Sequence, residues 1–196
     1  MQLSPPPGHA ALHLRRVMTL VLSAALASCA PGSGTPFLGA AQPESYRLGV
    51  DDQVRIITYG EDQLSDDFRV NAAGDLAMPL LGNVHAAGLT TDQLSATIAG
   101  ELVSRKLLQK PSVSAEIVAF RPIYVLGEVA RPGQYPYQVG MTMLTVVAVA
   151  GGFTYRAVQD YAMVVRHDGT TTVDGRLRPG AAVRPGDVVS IYERHF

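Results

Sequence analysis

The sequence predicts an α+β protein, and three stretches carry that expectation. Residues 123–154 read as a strand, a turn, a short second strand, an apolar helix and a glycine stop. Residues 44–118 read as short strands broken by Gly- and Asn-containing turns, followed by one capped helix and a further strand. Residues 161–192 add strands separated by Asp-Gly and Pro-Gly turns. At 196 residues, 47% hydrophobic and 17% charged, the chain suffices for one ordinary domain or two small ones. A formal charge of −1 supplies no basic face, so no nucleic-acid partner is expected. The single cysteine excludes an intramolecular disulfide framework and a multi-cysteine zinc site.

The first 28 residues read as an address. Arg15-Arg16 precede an eleven-residue, mostly apolar run from Val17 to Ala27, and Ser28-Cys29 follow. A basic flank, a short apolar core and small residues before a cut point make a secretory signal. The core is too short for a bilayer, which needs about 20 residues. The twin arginines stand without the rest of a folded-protein export motif. Leu26-Ala27-Ser28-Cys29 resembles a bacterial lipobox, in which the cysteine is acylated and becomes the first mature residue. Acyl chains, at about 0.8 kcal/mol per buried methylene, would hold the protein on a membrane without a spanning helix. Ala30 after the cysteine resembles lipoproteins sent on to the outer membrane. Residues 1–28 hold two arginines and no acid, so their removal leaves 14 basic and 17 acidic side chains, a net of −3. Residues 29–43 are rich in Pro, Gly and Ala and read as a flexible tether.

The first folded unit is expected over residues 44–118. Tyr46 to Tyr59 is a turn followed by a strand, with Val54, Ile56 and Thr58 on one face and Arg55 and Ile57 on the other. Asn71 to Asp75 reads as a hairpin turn between two short strands. Thr90 with Gln93 makes a capping box, and Leu94, Ile98 and Leu102 recur at i+4, so a helix follows. It should stop before Lys110-Pro111. Ser112 to Val118 alternates apolar and polar residues and reads as a strand. A faint echo links Leu48–Ile56 to Val183–Ile191: a polar or Gly-Asp turn feeds an apolar strand in both. It is expected to be shared turn chemistry rather than a true repeat.

Residues 119–196 are expected to form the second unit. Tyr124-Val125-Leu126 is a strand, Arg131-Pro132-Gly133 a turn and Gln134 to Tyr137 the returning strand. Thr142 is the N-cap of an eight-residue apolar run, Met143 to Ala150, that Gly151-Gly152 closes. Being apolar on every face, that helix is expected to be buried. Strands are expected at Tyr161–His167, Thr170–Val173 and Val188–Tyr192, with Asp168-Gly169 as a hairpin turn.

Two of these stretches carry a family resemblance. VLGEV-x-RPG-x-Y (Val125–Tyr135), followed by an apolar helix ending in AGGFT, closely resembles the SLBB module, a β-grasp domain of bacterial outer-membrane polysaccharide export proteins. The turn at Asp51-Asp52 and the run Val70 to Gly82, which reads V-x-x-x-G-x-x-x-x-P-L-x-G, are similar to the entry motif and the signature of the polysaccharide export domain, with Asp51 where glycine is more common. The resemblance implies a small β/α polysaccharide export domain followed by an SLBB-like β-grasp domain. It implies a non-enzymatic, lipid-anchored, periplasm-facing protein at the outer membrane of a Gram-negative bacterium. Copies would form a homo-oligomeric ring that conducts a secreted polysaccharide, with an inner-membrane polysaccharide co-polymerase as partner. Larger relatives continue into an amphipathic helix that builds the outer-membrane pore. The sequence shows no such helix, so a separate outer-membrane pore protein is the expected further partner. A monomeric periplasmic carbohydrate- or ligand-binding β-grasp module is the alternative.

No catalytic constellation stands out. Glu61, Asp62, Asp66 and Asp67 match no calcium-loop spacing and read as a solvated acidic loop. The five histidines are scattered without HxH or HExxH spacing, so neither a metal nor a cofactor is expected. Gly151-Gly152 follows a helix and is therefore a C-cap rather than a phosphate cradle. Cys29 is the candidate lipidation site. Tyr124, Tyr135, Tyr137 and Tyr155 are candidate contacts to sugar or to a neighbouring subunit, with core packing as the preferred alternative.

Overall fold

Two apolar cores, one on each side of residues 119–122, divide the fold into a first and a second lobe. The computed structural model describes residues 34–38, 46–168 and 171–194, and both lobes belong to the unit that begins at Thr35. The signal segment, Cys29 and the tip of the Asp168-Gly169 turn lie outside the described residues.

In the first lobe, β1 (Gln53–Thr58) lies between β2 (Asp66–Arg69) and β5 (Val113–Ala119) in an antiparallel sheet. Val54, Ile56 and Thr58 are buried and Arg55 and Ile57 exposed, the alternation the sequence predicts. A second small sheet pairs β3 (Asp75–Met78) with β4 (Gly82–His85). Helix α1 (Thr91–Ser104) starts at the predicted capping box. The Gln93 N–H donates to Thr90 Oγ1 at 3.3 Å, and the Thr90 N–H donates to Gln93 Oε1 at 3.0 Å. Leu94, Ile98 and Leu102 are fully buried. The helix ends well before Pro111, because Lys106 enters the left-handed region at φ 57° and the Leu107 N–H closes back on the Leu102 carbonyl.

Two expectations fail here. The Asn71–Asp75 turn forms, with Asn71 Oδ1 accepting the Ala73 and Asp75 N–H groups, but the strands it joins enter different sheets. The register of β2 against β1 carries Asp66 to Arg69 away from β3, so the turn changes sheets instead of closing a hairpin. Asp66 and Asp67 consequently lie on a strand and not in a loop.

In the second lobe, β6 (Ile123–Gly127) and β7 (Gly133–Tyr135) form the predicted hairpin, and helix α2 (Met143–Val149) follows. Strands β8 (Ala162–Asp168), β9 (Thr171–Leu177) and β10 (Val188–Ile191) complete a five-stranded sheet in the order β7-β6-β10-β8-β9. Its central pair, β6 and β10, is parallel. A parallel pair needs a long crossover, and α2 lies within it. Met143, Val146, Val147 and Ala150 bury one face of α2 against the sheet. The other face is open, with Leu144 51% and Val149 41% exposed. The expectation of a fully buried helix is therefore corrected. A single sheet covers only one stripe of a two-turn helix, whatever the composition of the opposite stripe.

The tether is also less free than its composition suggests. Phe37 forms a parallel bridge with Arg176 on β9, and the Leu38 N–H donates to the Arg176 carbonyl at 2.9 Å. The Arg176 and Arg178 guanidinium groups lie 4.3 and 4.8 Å from the Phe37 ring centroid. Leu38 fills the space left by the absent side chain of Gly175.

Gly127 holds the centre of the second sheet. Its φ is +83°, and a Cβ placed there would stand 2.0 Å from the Ile191 carbonyl oxygen on the paired strand. Gly127→Ala combines a left-handed conformation with a backbone clash, and should lower stability by about 3 kcal/mol in urea unfolding. An unchanged midpoint would mean that β6 and β10 part at no cost.

Candidate functional site

Two matching turns meet at the junction of the lobes. In the first, the Gly49 N–H donates to Asp52 Oδ2 at 2.7 Å and the Asp52 N–H donates to the Gly49 carbonyl at 3.2 Å. In the second, the Arg184 N–H donates to Asp187 Oδ2 at 2.8 Å and the Asp187 N–H donates to the Arg184 carbonyl at 3.1 Å. Both aspartates are completely buried. The residue before each has positive φ: Asp51 at 72° and Gly186 at 83°. The sequence echo is thus the same turn made twice. Asp51 adopts the left-handed conformation itself, so the turn keeps its geometry without glycine.

A buried carboxylate needs compensation. Asp52 finds it in neutral donors: Tyr46 Oη at 2.6 Å, the Gly49 N–H and the Arg121 N–H at 2.7 Å. Asp187 takes a bidentate salt bridge from the buried Arg166, with Nε at 2.8 Å and Nη2 at 2.7 Å. Burial, then the hydrogen bond to Asp52 and its charge, push the Tyr46 phenol far above its usual value. Burial likewise raises Tyr137.

Residues 120–122 fasten the two turns together. The Phe120 ring packs edge-on against Tyr46 of the first lobe at 5.0 Å and Tyr137 of the second at 5.3 Å. Arg121 gives its N–H to Asp52 and its Nε to the Pro185 carbonyl at 3.0 Å. The Pro122 carbonyl accepts the Gly186 N–H at 3.1 Å. A Cβ at Gly49 would lie 1.5 Å from Arg121 Nη1, and one at Gly186 would lie 2.8 Å from its Nε. The guanidinium therefore occupies room that both glycines leave open.

Beside this junction opens a cleft of about 390 Å³, to which Arg47 and Asp51 of the first lobe, Arg121 of the connecting segment, and Tyr124 and His167 of the second lobe contribute. Tyr124 is 40% exposed. Arg47 Nη1 donates to the Gly88 carbonyl at 2.8 Å, and Asp51 lies 4.0 Å from Arg69.

The family profile described as polysaccharide biosynthesis/export protein matches residues 40–118, and that of the SLBB domain matches residues 122–175. This chain belongs to the polysaccharide export protein family. The two matches meet at the junction just described. Among curated relatives, the exopolysaccharide production protein ExoF of Rhizobium meliloti (strain 1021) is 33% identical over 123 residues, covering 57% of this chain and 29% of its own length. The EPS I polysaccharide export outer membrane protein EpsA of Ralstonia nicotianae (strain ATCC BAA-1114 / GMI1000) is 23% identical over 193 residues, covering 81% of this chain and 50% of its own length. The polysialic acid transport protein KpsD of Escherichia coli is 27% identical over 109 residues, covering 55% and 19%. The chain thus spans half or less of the length of these three relatives.

For this export-family chain, the four candidate tyrosines do not form one site. Only Tyr124 lines the cleft. Tyr135 and Tyr137 pack against the second core, and the Tyr135 hydroxyl donates to the Arg131 carbonyl at 2.6 Å. Tyr155 is 88% exposed and lies outside the cleft. The acidic residues are equally dispersed in role. Asp67 accepts both Arg55 nitrogens, at 2.7 and 3.0 Å, and that hydrogen bonding holds its carboxyl below the usual range. Among the described residues, no group of three or more metal-ligating side chains comes together, and no helix is long and apolar enough to cross a membrane. The Phe120-Arg121-Pro122 junction was not singled out in the sequence. The signal for it was the turn echo, whose two aspartate turns needed a common partner.

Two predictions follow from this geometry. The folded chain holds the Tyr46 proton that the unfolded chain releases near pH 10, so this phenol contributes stability below that pH and loses it above. Tyr46→Phe should cost about 1 kcal/mol at pH 8 and flatten the decline above pH 10, read by urea unfolding across that range. The turns can also be exchanged. Asp51→Gly should match or exceed the native melting temperature, whereas Gly186→Asp, which crowds Arg121, should lower stability by about 2 kcal/mol.

Proposed function

We propose that this chain is a subunit of a polysaccharide export conduit at the outer membrane: lipid-anchored through Cys29, facing the periplasm, and closed into a ring with copies of itself. The observation that carries the reading is the direct succession of an export domain and an SLBB domain, fastened by Phe120, Arg121 and Pro122. Both the Ralstonia and Escherichia relatives are named for export or transport of a polysaccharide. A head-to-tail closed contact between identical small subunits encloses a channel that one copy cannot. The exposed stripe of α2 supplies apolar area of the kind such a contact buries.

The division of the chain that accompanies this reading is a signal peptide at 1–28, a tether at 29–43, an export domain at 44–118 and a β-grasp domain at 119–196. Its work is passage and gating rather than bond chemistry. An inner-membrane polysaccharide co-polymerase would deliver the polymer, and a separate outer-membrane pore protein would release it. The cleft between the lobes favours a second reading, a monomeric carbohydrate-binding module in the periplasm.

Light scattering on the detergent-extracted, lipidated chain separates the two. A discrete particle many times the 20.8 kDa chain is expected for the conduit subunit. A strict monomer, with and without the co-polymerase, would overturn the ring and favour the binding module.

A further inference from the structure

We infer that the cleft between the lobes is a binding site for acidic sugar units, with Arg121 and Arg47 reading the carboxylate and Tyr124 carrying the ring. The inference deepens the export reading by giving the polymer a chemical class, and it takes from that reading only the identity of the ligand as a passing glycan.

The chemistry of the walls carries it. Arg121 lines the cleft with its Nε committed to the Pro185 carbonyl, while Nη1 and Nη2 have no hydrogen-bond partner among the described residues. The Asp52 carboxylate accepts hydrogen bonds from the Tyr46 hydroxyl, the Gly49 N–H and the Arg121 backbone N–H rather than from the guanidinium. The charge of Arg121 is therefore held in place by packing, at 6.0 Å over the Tyr46 ring, without an ion-pair partner among the described residues. A planar guanidinium presenting two donors in a fixed fork matches a carboxylate better than a neutral hydroxyl. Arg47 adds a second cation from the facing lobe, fixed through one exposed bond to Gly88. The one acid in the wall, Asp51, has Arg69 at 4.0 Å.

The remaining surfaces suit a sugar. Tyr124 stands on the outer face of β6, in register with Val188 on β10 and with His167 two residues beyond the Val165 partner on β8. Its ring offers an apolar face beside the cations, and a pyranose ring offers the matching apolar C–H face. A volume of about 390 Å³ lies at the small end of ligand pockets and accommodates one or two sugar rings. Gly49 and Gly186 leave room for the guanidinium that a side chain at either position would take. A shallow hold of this kind also fits transport, in which a site must bind and then release its cargo.

The test uses the full chain and calorimetric titration at low salt. The probe is a hexasaccharide of alternating glucuronate and N-acetylglucosamine, with neutral maltohexaose and inorganic phosphate as comparisons. The acidic hexasaccharide should bind about tenfold more tightly than maltohexaose, since each charge-assisted pair outweighs a neutral one. Arg47→Gln and Tyr124→Ala should each weaken it about fivefold with an unchanged melting temperature. Arg121→Lys, which keeps the backbone bond to Asp52 and the charge but loses the fork, should weaken it similarly. Equal binding of acidic and neutral sugars, or binding untouched by these substitutions, would overturn the inference. So would phosphate competing as well as the hexasaccharide binds, which would reduce the cleft to a general anion site. The outcome is independent of assembly. A monomer that binds acidic sugar through Arg47 keeps the site and loses the ring, whereas a ring that ignores acidic sugar keeps the conduit and loses the site.

Discussion

The Arg121 N–H donated to the buried Asp52 carboxylate is the contact on which the arrangement of the two lobes depends. Asp52 closes its own turn through Gly49, receives the Tyr46 phenol and then reaches across 69 residues to Arg121. The same three-residue segment gives Arg121 Nε and the Pro122 carbonyl to the turn built on Asp187. Each carboxylate is costly to bury, and each is compensated mainly by donors fixed in the backbone or in a packed side chain. Removing any one donor would leave a charge in an apolar setting, so the turns and the junction stand or fall together.

The solutions at the two turns differ in one respect. Asp187 is matched by a full positive charge on Arg166, whereas Asp52 has only neutral donors. The second turn is thereby electrically closed, while the first meets its negative charge with neutral hydrogen-bond donors. One molecule thus carries an ion-paired and a neutrally bonded version of a single motif, and both turns border the cleft.

Local signals in the sequence were legible wherever a short-range rule decided the outcome. Thr90 with Gln93, Thr142, the Arg131-Pro132-Gly133 turn and the burial of Leu94, Ile98 and Leu102 all follow from spacing alone. Tertiary choices were not legible. Nothing near Asn71 says that its turn passes from one sheet to another. Nothing in the run from Met143 to Ala150 says which stripe the sheet will cover. The cleft was half legible. Tyr124 stood out as an aromatic in the hairpin, but Arg47 and Arg121, 74 residues apart in sequence, are ordinary arginines until the fold brings both to the cleft. Phe120 was hidden for the same reason, since its two ring partners lie on either side of it in sequence and come together only when both cores have formed.

The docked stretch at Pro36–Leu38 bears on how copies of this protein can touch. An exposed sheet edge is a template for strand addition from another chain, which leads to open-ended fibres instead of closed assemblies. One end of the five-stranded sheet is the three-residue β7, followed at once by Pro136. The other is β9, where the chain's own Phe37 and Leu38 already occupy the backbone groups of Arg176. The part that no described residue pairs, Thr171 to Asp174, is four residues long and ends in a charge. A chain built this way is shielded from polymerising through that sheet, and any meeting of neighbours there must be made by side-chain surfaces, which can fit, part and fit again.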